Sequence, residues 1–249
     1  MNNNDLIFVC VFDNGSRELG LNHLISLRNN KINNYIAYVT DDETFTYIKQ
    51  WGFNVVKENI DDIITTKSKD FGTEQFNMFS YIRYKIINRH ILEGKSVWYM
   101  DVDTVVLGDL NLYYNGMTNT NVDVIFQNDL HMVCTGCSLY IPNKNSIEFT
   151  KYVYDNASTK MNDQNFIANF LMVGKSYLKY NLFDYMEFAN GLLYFKETDT
   201  HEIPDYLAQP KRRFRADDDK NLYFVHANWM IGNNVKTAAL KNANLWFVK

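Results

Sequence analysis

Leu6-Ile-Phe-Val-Cys-Val-Phe12 is an unbroken apolar run. Such a run predicts a strand buried on both faces, the kind found in sheets covered by helices on either side. The residues beyond it agree. A polar turn, Asp13 to Arg17, ends the strand, and from Glu18 to Asn29 the residues Leu19, Leu21, Leu24, Ile25 and Leu27 fall at mostly helical spacing. Tyr35 to Thr40 reads as a second strand. Asp41 and Asp42 open a helix, where carboxylates meet free amides and the positive end of the dipole; it runs to about Trp51, and Gly52 stops it. Phe53 to Val56 is a third strand. This repeated β-α-β order predicts an α/β fold with a mainly parallel sheet flanked by helices, and a ligand site beyond the carboxyl ends of the strands.

Farther along, Glu74 to Leu92 predicts one long helix closed by Gly94, with Phe76, Phe79, Tyr81, Ile82, Ile86, Ile87 and Ile91 crowding one side. Ser96 to Met100 is then a central strand. Val122 to Phe126 and Ser138 to Ile141 read as strands, and Ile147 to Asp155 and Gln164 to Met172 as helices.

Composition narrows the class. The chain has 249 residues, long enough to bury a core without disulfides, and 46% of them are hydrophobic, which excludes a disordered chain. A net charge of -4 argues against a protein that tracks nucleic-acid phosphates. Cys10, Cys134 and Cys137 are an odd number, which fits a reducing compartment better than a disulfide framework. The first residues lack a basic n-region, and no stretch approaches the roughly 18 apolar residues of a membrane span, so the expectation is a cytoplasmic protein with no anchor. Only three prolines occur and no Gly/Ser linker, which predicts one domain over 1–249.

The strand at Ser96 ends in Tyr-Met-Asp-Val-Asp. Asp101 and Asp103 are two apart, so at a strand end both carboxylates can converge on one cation, which relieves their repulsion and can neutralise a diphosphate. The spacing alone is weak evidence. With 20 aspartates in the chain, roughly one or two Asp-x-Asp matches arise by chance, and Asp217 to Asp219 is one. That second match follows the basic run Lys211, Arg212, Arg213 and Arg215 with no apolar strand before it, as a solvated loop would. His226 ends the apolar run Leu222 to Val225 and can project toward the same cleft. Two carboxylates and a neutral imidazole suit manganese better than calcium.

From His226 the sequence reads His-Ala-Asn-Trp-Met-Ile-Gly-Asn-Asn-Val-Lys. With Tyr-Met-Asp-Val-Asp, this block closely resembles the nucleotide-diphospho-sugar transferases grouped with glycosyltransferase family 77, over most of the chain from Phe76 to Trp246. The resemblance implies a GT-A fold and sugar transfer from a nucleotide diphosphate, UDP above all, to a carbohydrate or glycosylated acceptor. It implies Mn2+ or Mg2+ at Asp101, Asp103 and His226, with Val102 between the carboxylates at the donor. Lys236 would contact the diphosphate, and Gly232 would let the backbone approach. Asp163 and Gln164 resemble the family's Asp-Gln pair near the reacting sugar; Asp163 is also a plausible helix N-cap. Arg83 and Lys85, on the helix before the metal strand, can both reach the phosphate or the metal carboxylates, and the family's usual lysine favours Lys85. Asp129 resembles an acid that touches sugar hydroxyls. Gly136 matches a glycine in the following strand, but Cys134 stands where an amide is usual, so the sugar stays open. Cys134 and Cys137 form a Cys-x-x-Cys with no second pair and no following helix, a poor redox or zinc site.

The donor base is expected at the first strand ends, against Phe12, Asp13, Thr40 and Asp41. Tyr185, Phe188 and Trp229 are candidates for stacking on acceptor sugars. Two other readings are a sugar nucleotidyltransferase, for which Asp13-Asn14-Gly15-Ser16-Arg17 is only a faint phosphate loop, and an inactive sugar-binding module.

Overall fold

In the computed structural model, which describes residues 5–59, 73–117, 121–130, 132–173, 177–195 and 222–249, strand β1 (Leu6–Phe12) is buried along its whole length. It serves two cores by alternation. Leu6, Phe8, Cys10 and Phe12 join one hydrophobic cluster and Ile7, Val9 and Val11 the other. A short 3-10 turn leads into α1 (Arg17–Asn29), whose leucines pack on the Phe8–Phe12 side. After β2 (Tyr35–Val39) comes α2 (Asp42–Gln50), capped by Asp41, whose carboxylate accepts from the Thr44 backbone N–H. Gly52, at φ +75°, turns the chain out of it. Strand β3 (Val55–Lys57) begins two residues later than the sequence predicts, because Phe53 is spent on the core from the turn, under the Arg28 guanidinium.

Helix α3 (Glu74–Leu92) has the bounds its pattern predicts and lays Tyr81, Ile82, Tyr84, Ile86, Ile87 and Ile91 into the second cluster. The remaining elements are β4 (Ser96–Met100), β5 (Thr104–Val106), α4 (Leu110–Gly116), β6 (Val124–Asn128), β7 (Val133–Tyr140), α5 (Lys144–Asp155), α6 (Asp163–Met172), β8 (Tyr180–Leu182), β9 (Phe188–Ala189), α7 (Gly191–Tyr194), β10 (Phe224–His226) and α8 (Asn233–Asn242). Helix α5 starts three residues earlier than expected, because Asn143 and Ser146 form a capping box. The Asp217–Asp219 match and its basic neighbours lie outside the described residues.

Seven strands form one sheet in the order β3-β2-β1-β4-β7-β6-β8. Among the described residues β7 alone runs against the others, pairing antiparallel with β4 and β6. It begins five residues before the predicted Ser138, since the small and polar residues there hide the strand. Its ladder slips there: Phe126 pairs with Ser138 while Gln127 pairs with Cys134. A second, three-stranded sheet has the order β5-β10-β9. No helix among the described residues is long and apolar enough to cross a membrane.

The contact of α1 with β1 is close enough to test. A Cβ on Gly20 would lie 2.4 Å from Phe12 Cε2, and the ring has no room to retreat because Phe12 is fully buried. Gly20→Ala is expected to cost about 1–3 kcal/mol by overpacking, or roughly 2–4 °C of thermal midpoint per kcal/mol in a chain of this size. An unchanged melting curve by circular dichroism would contradict this packing.

Candidate active site

Asp101 is the first residue past β4, at the carboxyl end of the central strand. Its N–H donates to the Gly136 carbonyl at 2.6 Å, and its own carbonyl accepts from the Thr104 N–H and hydroxyl at 3.1 and 2.7 Å. That turn carries Asp103 into the cleft beside Asp101. Strand β5 then pairs antiparallel with β10, Thr104 opposite His226, and the Ala227 N–H donates to the Asp103 carbonyl at 2.9 Å. The small sheet thereby brings together residues far apart in sequence: His226 Nε2 is 3.1 Å from Asp103 Oδ1.

One ligand atom each from Asp101, Asp103 and His226 lies within 4.8 Å of the others. Gly136 leaves the space they share, for a Cβ there would sit 2.4 Å from His226 Cε1 and 2.6 Å from Asp101 Oδ2. Two carboxylates and an imidazole, converging where only a glycine fits, suit a divalent cation.

The surrounding charges are paired in an ordered way. Burial pushes the Asp103 carboxyl up, yet Lys236 at 2.7 Å and His226 together hold it well below the usual carboxylate range. Burial works against the Lys236 charge in turn, and Asp103 keeps its pKa above the ordinary lysine value. Arg83 is buried between two acids, Nη1 3.2 Å from Asp101 Oδ1 and Nε 3.5 Å from Asp163 Oδ2. Its Nε also donates to the Ser80 carbonyl and Nη1 to that of Thr135. Tyr99 donates its hydroxyl to Asp101 at 2.7 Å, and Tyr84 to Asp163 at 2.9 Å.

Arg83, Tyr99, the three acids, His226 and Lys236 line a cleft of about 480 Å³, within the size range of small-molecule sites. Asp13, Arg83, Asp101, Val102, Asp103, Asp129, Gly136, Asp163, Gln164, His226, Gly232 and Lys236 all border it. Phe12 does not. Its ring belongs to the core against Gly20, and Val11, on the opposite face of β1, borders the cleft instead. Lys85 is also placed elsewhere, half exposed and 3.6 Å from Glu58, so Arg83 is the cation that α3 gives the cleft. Thr40 and Asp41 close off the end of β2 without bordering the cleft: Asp41 caps α2, and the Thr40 hydroxyl is buried. Phe188 is fully buried, whereas Trp229 is partly exposed on the cleft.

Asn162, not Asp163, caps α6, accepting from the Asn165 N–H; Asp163 is the first helical residue, and its carboxylate turns to Tyr84 and Arg83. Gln164 is less buried and reaches Met132 Sδ at 3.1 Å. Asp129 is buried, which raises its pKa, and accepts from Trp229 Nε1 at 2.6 Å and Asn228 Nδ2 at 3.2 Å. Burial likewise drives the Cys134 and Cys137 thiols upward, and all three cysteines are free, against thiolate chemistry.

Sequence reasoning missed Gln127 and Asn228. Gln127 Oε1 lies 2.7 Å from His226 Nδ1. Asn228 joins Asp129 to the start of α7, where its Oδ1 accepts from the Gly191 N–H at 2.6 Å. The signal for Gln127 was a polar residue directly after the buried run Val124–Phe126. Asn228 stood within the quoted block but had no visible partner.

The pattern that defines the nucleotide-diphospho-sugar transferases matches residues 30–240. No curated protein matches the chain. Among solved structures it is similar to the galactosyltransferase LgtC in complex with donor and acceptor sugar analogs, at TM-score 0.59 and 9% identity over 96% of this chain and 94% of that one. It is also similar to a glycosyltransferase involved in glycosylation of the major capsid of PBCV-1, at TM-score 0.55 and 11% identity over 96% and 98%. A third is apo GlyE of Streptococcus pneumoniae TIGR4, at TM-score 0.58 and 14% identity over 98% of this chain and 60% of that one. These likenesses make the fold the GT-A fold of glycosyltransferases. With most of its length matching the family pattern, the chain belongs to the nucleotide-diphospho-sugar transferase family and is a glycosyltransferase.

Proposed function

We propose that this glycosyltransferase moves a sugar from UDP to a hydroxyl of a carbohydrate or glycosylated acceptor, with retention of configuration and with Mn2+ or Mg2+ held by Asp101, Asp103 and His226. The observation that carries the reading is the convergence of those three ligand atoms within 4.8 Å at the end of the central strand. Around them the cleft sets five carboxylates, Asp13, Asp101, Asp103, Asp129 and Asp163, against Arg83 and Lys236. Such a surface repels a diphosphate. A divalent ion, when bound, neutralises that repulsion and stabilises charge on the departing phosphate.

The chain supplies the rest. Helix α8 opens at Gly232, whose φ of +92° is costly for any other residue, and its first turn has no side-chain cap. A phosphate suits that end of the helix. Lys236, one turn in, exchanges Asp103 for phosphate oxygen as negative charge grows there. Asp129 and Gln164 take sugar hydroxyls, while Asp163, tied to Tyr84 and Arg83, fixes where Gln164 stands. The departing phosphate oxygen takes the acceptor proton from the front face, so no separate base is needed. In this reading 1–110 serves mainly the nucleotide and 111–249 mainly the acceptor, with the face of Trp229 open to a sugar ring.

Calorimetric titration with Mn2+ and UDP tests the assignment. Asp103→Asn should weaken Mn2+ binding by more than the roughly 10–100-fold that loss of a supporting residue costs; wild-type affinity in that variant would remove the metal site. Lys236→Met should retain Mn2+ and lose UDP affinity. Slow hydrolysis of one donor from a panel of UDP- and GDP-sugars should identify the sugar. Pyrophosphate released from UTP and a sugar phosphate would instead favour a nucleotidyltransferase.

Gly136→Ala is a separate check on the geometry. Its methyl would press on His226 and Asp101, so Mn2+ affinity should fall while thermal stability changes by only about 1–3 kcal/mol. Undiminished affinity would mean that the two side chains do not share that space.

A further inference from the structure

Gln127 is fully buried, and a buried amide needs partners at both ends. The ladder slip between Phe126 and Gln127 turns it toward the small sheet. There its Nε2 lies 3.5 and 3.3 Å from the backbone carbonyl oxygens of Phe188 and Ala189 in β9, and its Oε1 lies 2.7 Å from His226 Nδ1. Half a turn of the amide would set Oε1 against two carbonyl oxygens, acceptor against acceptor. The β9 backbone therefore fixes which end meets the imidazole.

A neutral imidazole has one N–H, and here two acceptors compete for it: Gln127 Oε1 at 2.7 Å from Nδ1 and Asp103 Oδ1 at 3.1 Å from Nε2. If the proton sits on Nε2, the ring donates to Asp103, and each of the two candidate ligands consumes the other. If it sits on Nδ1, the Nε2 lone pair faces the space beside Asp101 and Asp103. Cys134 Sγ, 3.8 Å from the same Nδ1, is too weak an acceptor to replace the amide oxygen.

We propose that Gln127 is a positioning residue that keeps the proton on His226 Nδ1 and so frees Nε2 and Asp103 to hold a divalent cation. The second half rests on the metal reading above; the first does not. Outer partners of metal-bound histidines act in this way, by fixing tautomer and ring orientation.

The test compares wild type, Gln127→Met and Gln127→Glu. Nitrogen NMR of 15N-histidine-labelled, metal-free protein reads the protonation of His226 Nδ1, and Mn2+ titration followed by electron paramagnetic resonance reads affinity. Wild type and Gln127→Glu, which keeps an acceptor oxygen, should show a protonated Nδ1. Gln127→Met, of similar volume without the acceptor, should show an unprotonated Nδ1 and bind Mn2+ about 10–100-fold more weakly. A Gln127→Met protein with protonated Nδ1 and wild-type affinity overturns the proposal. If wild type binds no Mn2+, the metal reading falls with the second half of the proposal, and the Nδ1 signal still decides whether Gln127 sets the tautomer.

Discussion

Asp103 has to be buried and charged at once, and the C-terminal part of the chain is arranged around that constraint. Stripping a buried ion of its partner costs roughly 3–5 kcal/mol, so Lys236 on α8 has to arrive beside Asp103, and β10 brings His226 to the same carboxylate. Two features hold them there. The β5-β10 pairing sets His226 opposite Thr104, and the segment after α8 is tied to α1, since Asn22 donates to the Leu245 carbonyl and accepts from the Phe247 N–H. Asn233 at the head of α8 adds a bond to the Gly15 carbonyl at 2.7 Å. The chain's end is thus fastened to the turn and helix that follow its first strand.

The acids Asp101 and Asp163 are managed differently. Arg83 stands between Asp101 and Asp163, with Tyr99 and Tyr84 donating to the same carboxylates. The guanidinium is itself buried and lies 4.7 Å from the centre of the Tyr99 ring. These bonds come from α3 and β4, elements packed into the core, so Asp163 is held by rigid structure. Asp101 remains partly exposed and keeps an oxygen toward the cleft. The arrangement therefore separates an acid that fixes a helix start from an acid available to a ligand.

The first strand, the bounds of α3 and the acidic end of β4 were legible because each rests on a local period. What depends on facing was harder. Along β1 the sequence could not say which of Val11 and Phe12 meets the cleft, because both are apolar and both are buried. On α3 the answer was present but outweighed by resemblance. Three and four residues past Arg83 stand Ile86 and Ile87, whereas Asn88 and Arg89 follow Lys85 at the same steps, so Arg83 shares the buried side. Gln127 and Asn228 act through partners 99 residues away, and no local pattern encodes such a pairing. Strand β7 hid because its cleft end is built of small and polar residues, which the slipped ladder pairs with the end of β6.

Backbone strain marks one side of the cleft more than the other. Leu130 and Trp229 occupy the left-handed region at φ 66° and 63°, a conformation costing roughly 1–2 kcal/mol for such residues. Both adjoin Asp129: Leu130 follows it in sequence, its N–H held by Asn128 Oδ1, and the Trp229 indole donates to it. Asn228 completes the bracket by joining Asp129 to α7. In the proposed reaction this is the sugar side, set in place before a ligand arrives. On the phosphate side of that proposal stands an ion pair, Lys236 with Asp103, which would change partners when a diphosphate enters. In that proposal, preorganisation at the sugar and exchange at the phosphate place the rearrangement where charge would develop, and leave the groups that would select the sugar fixed.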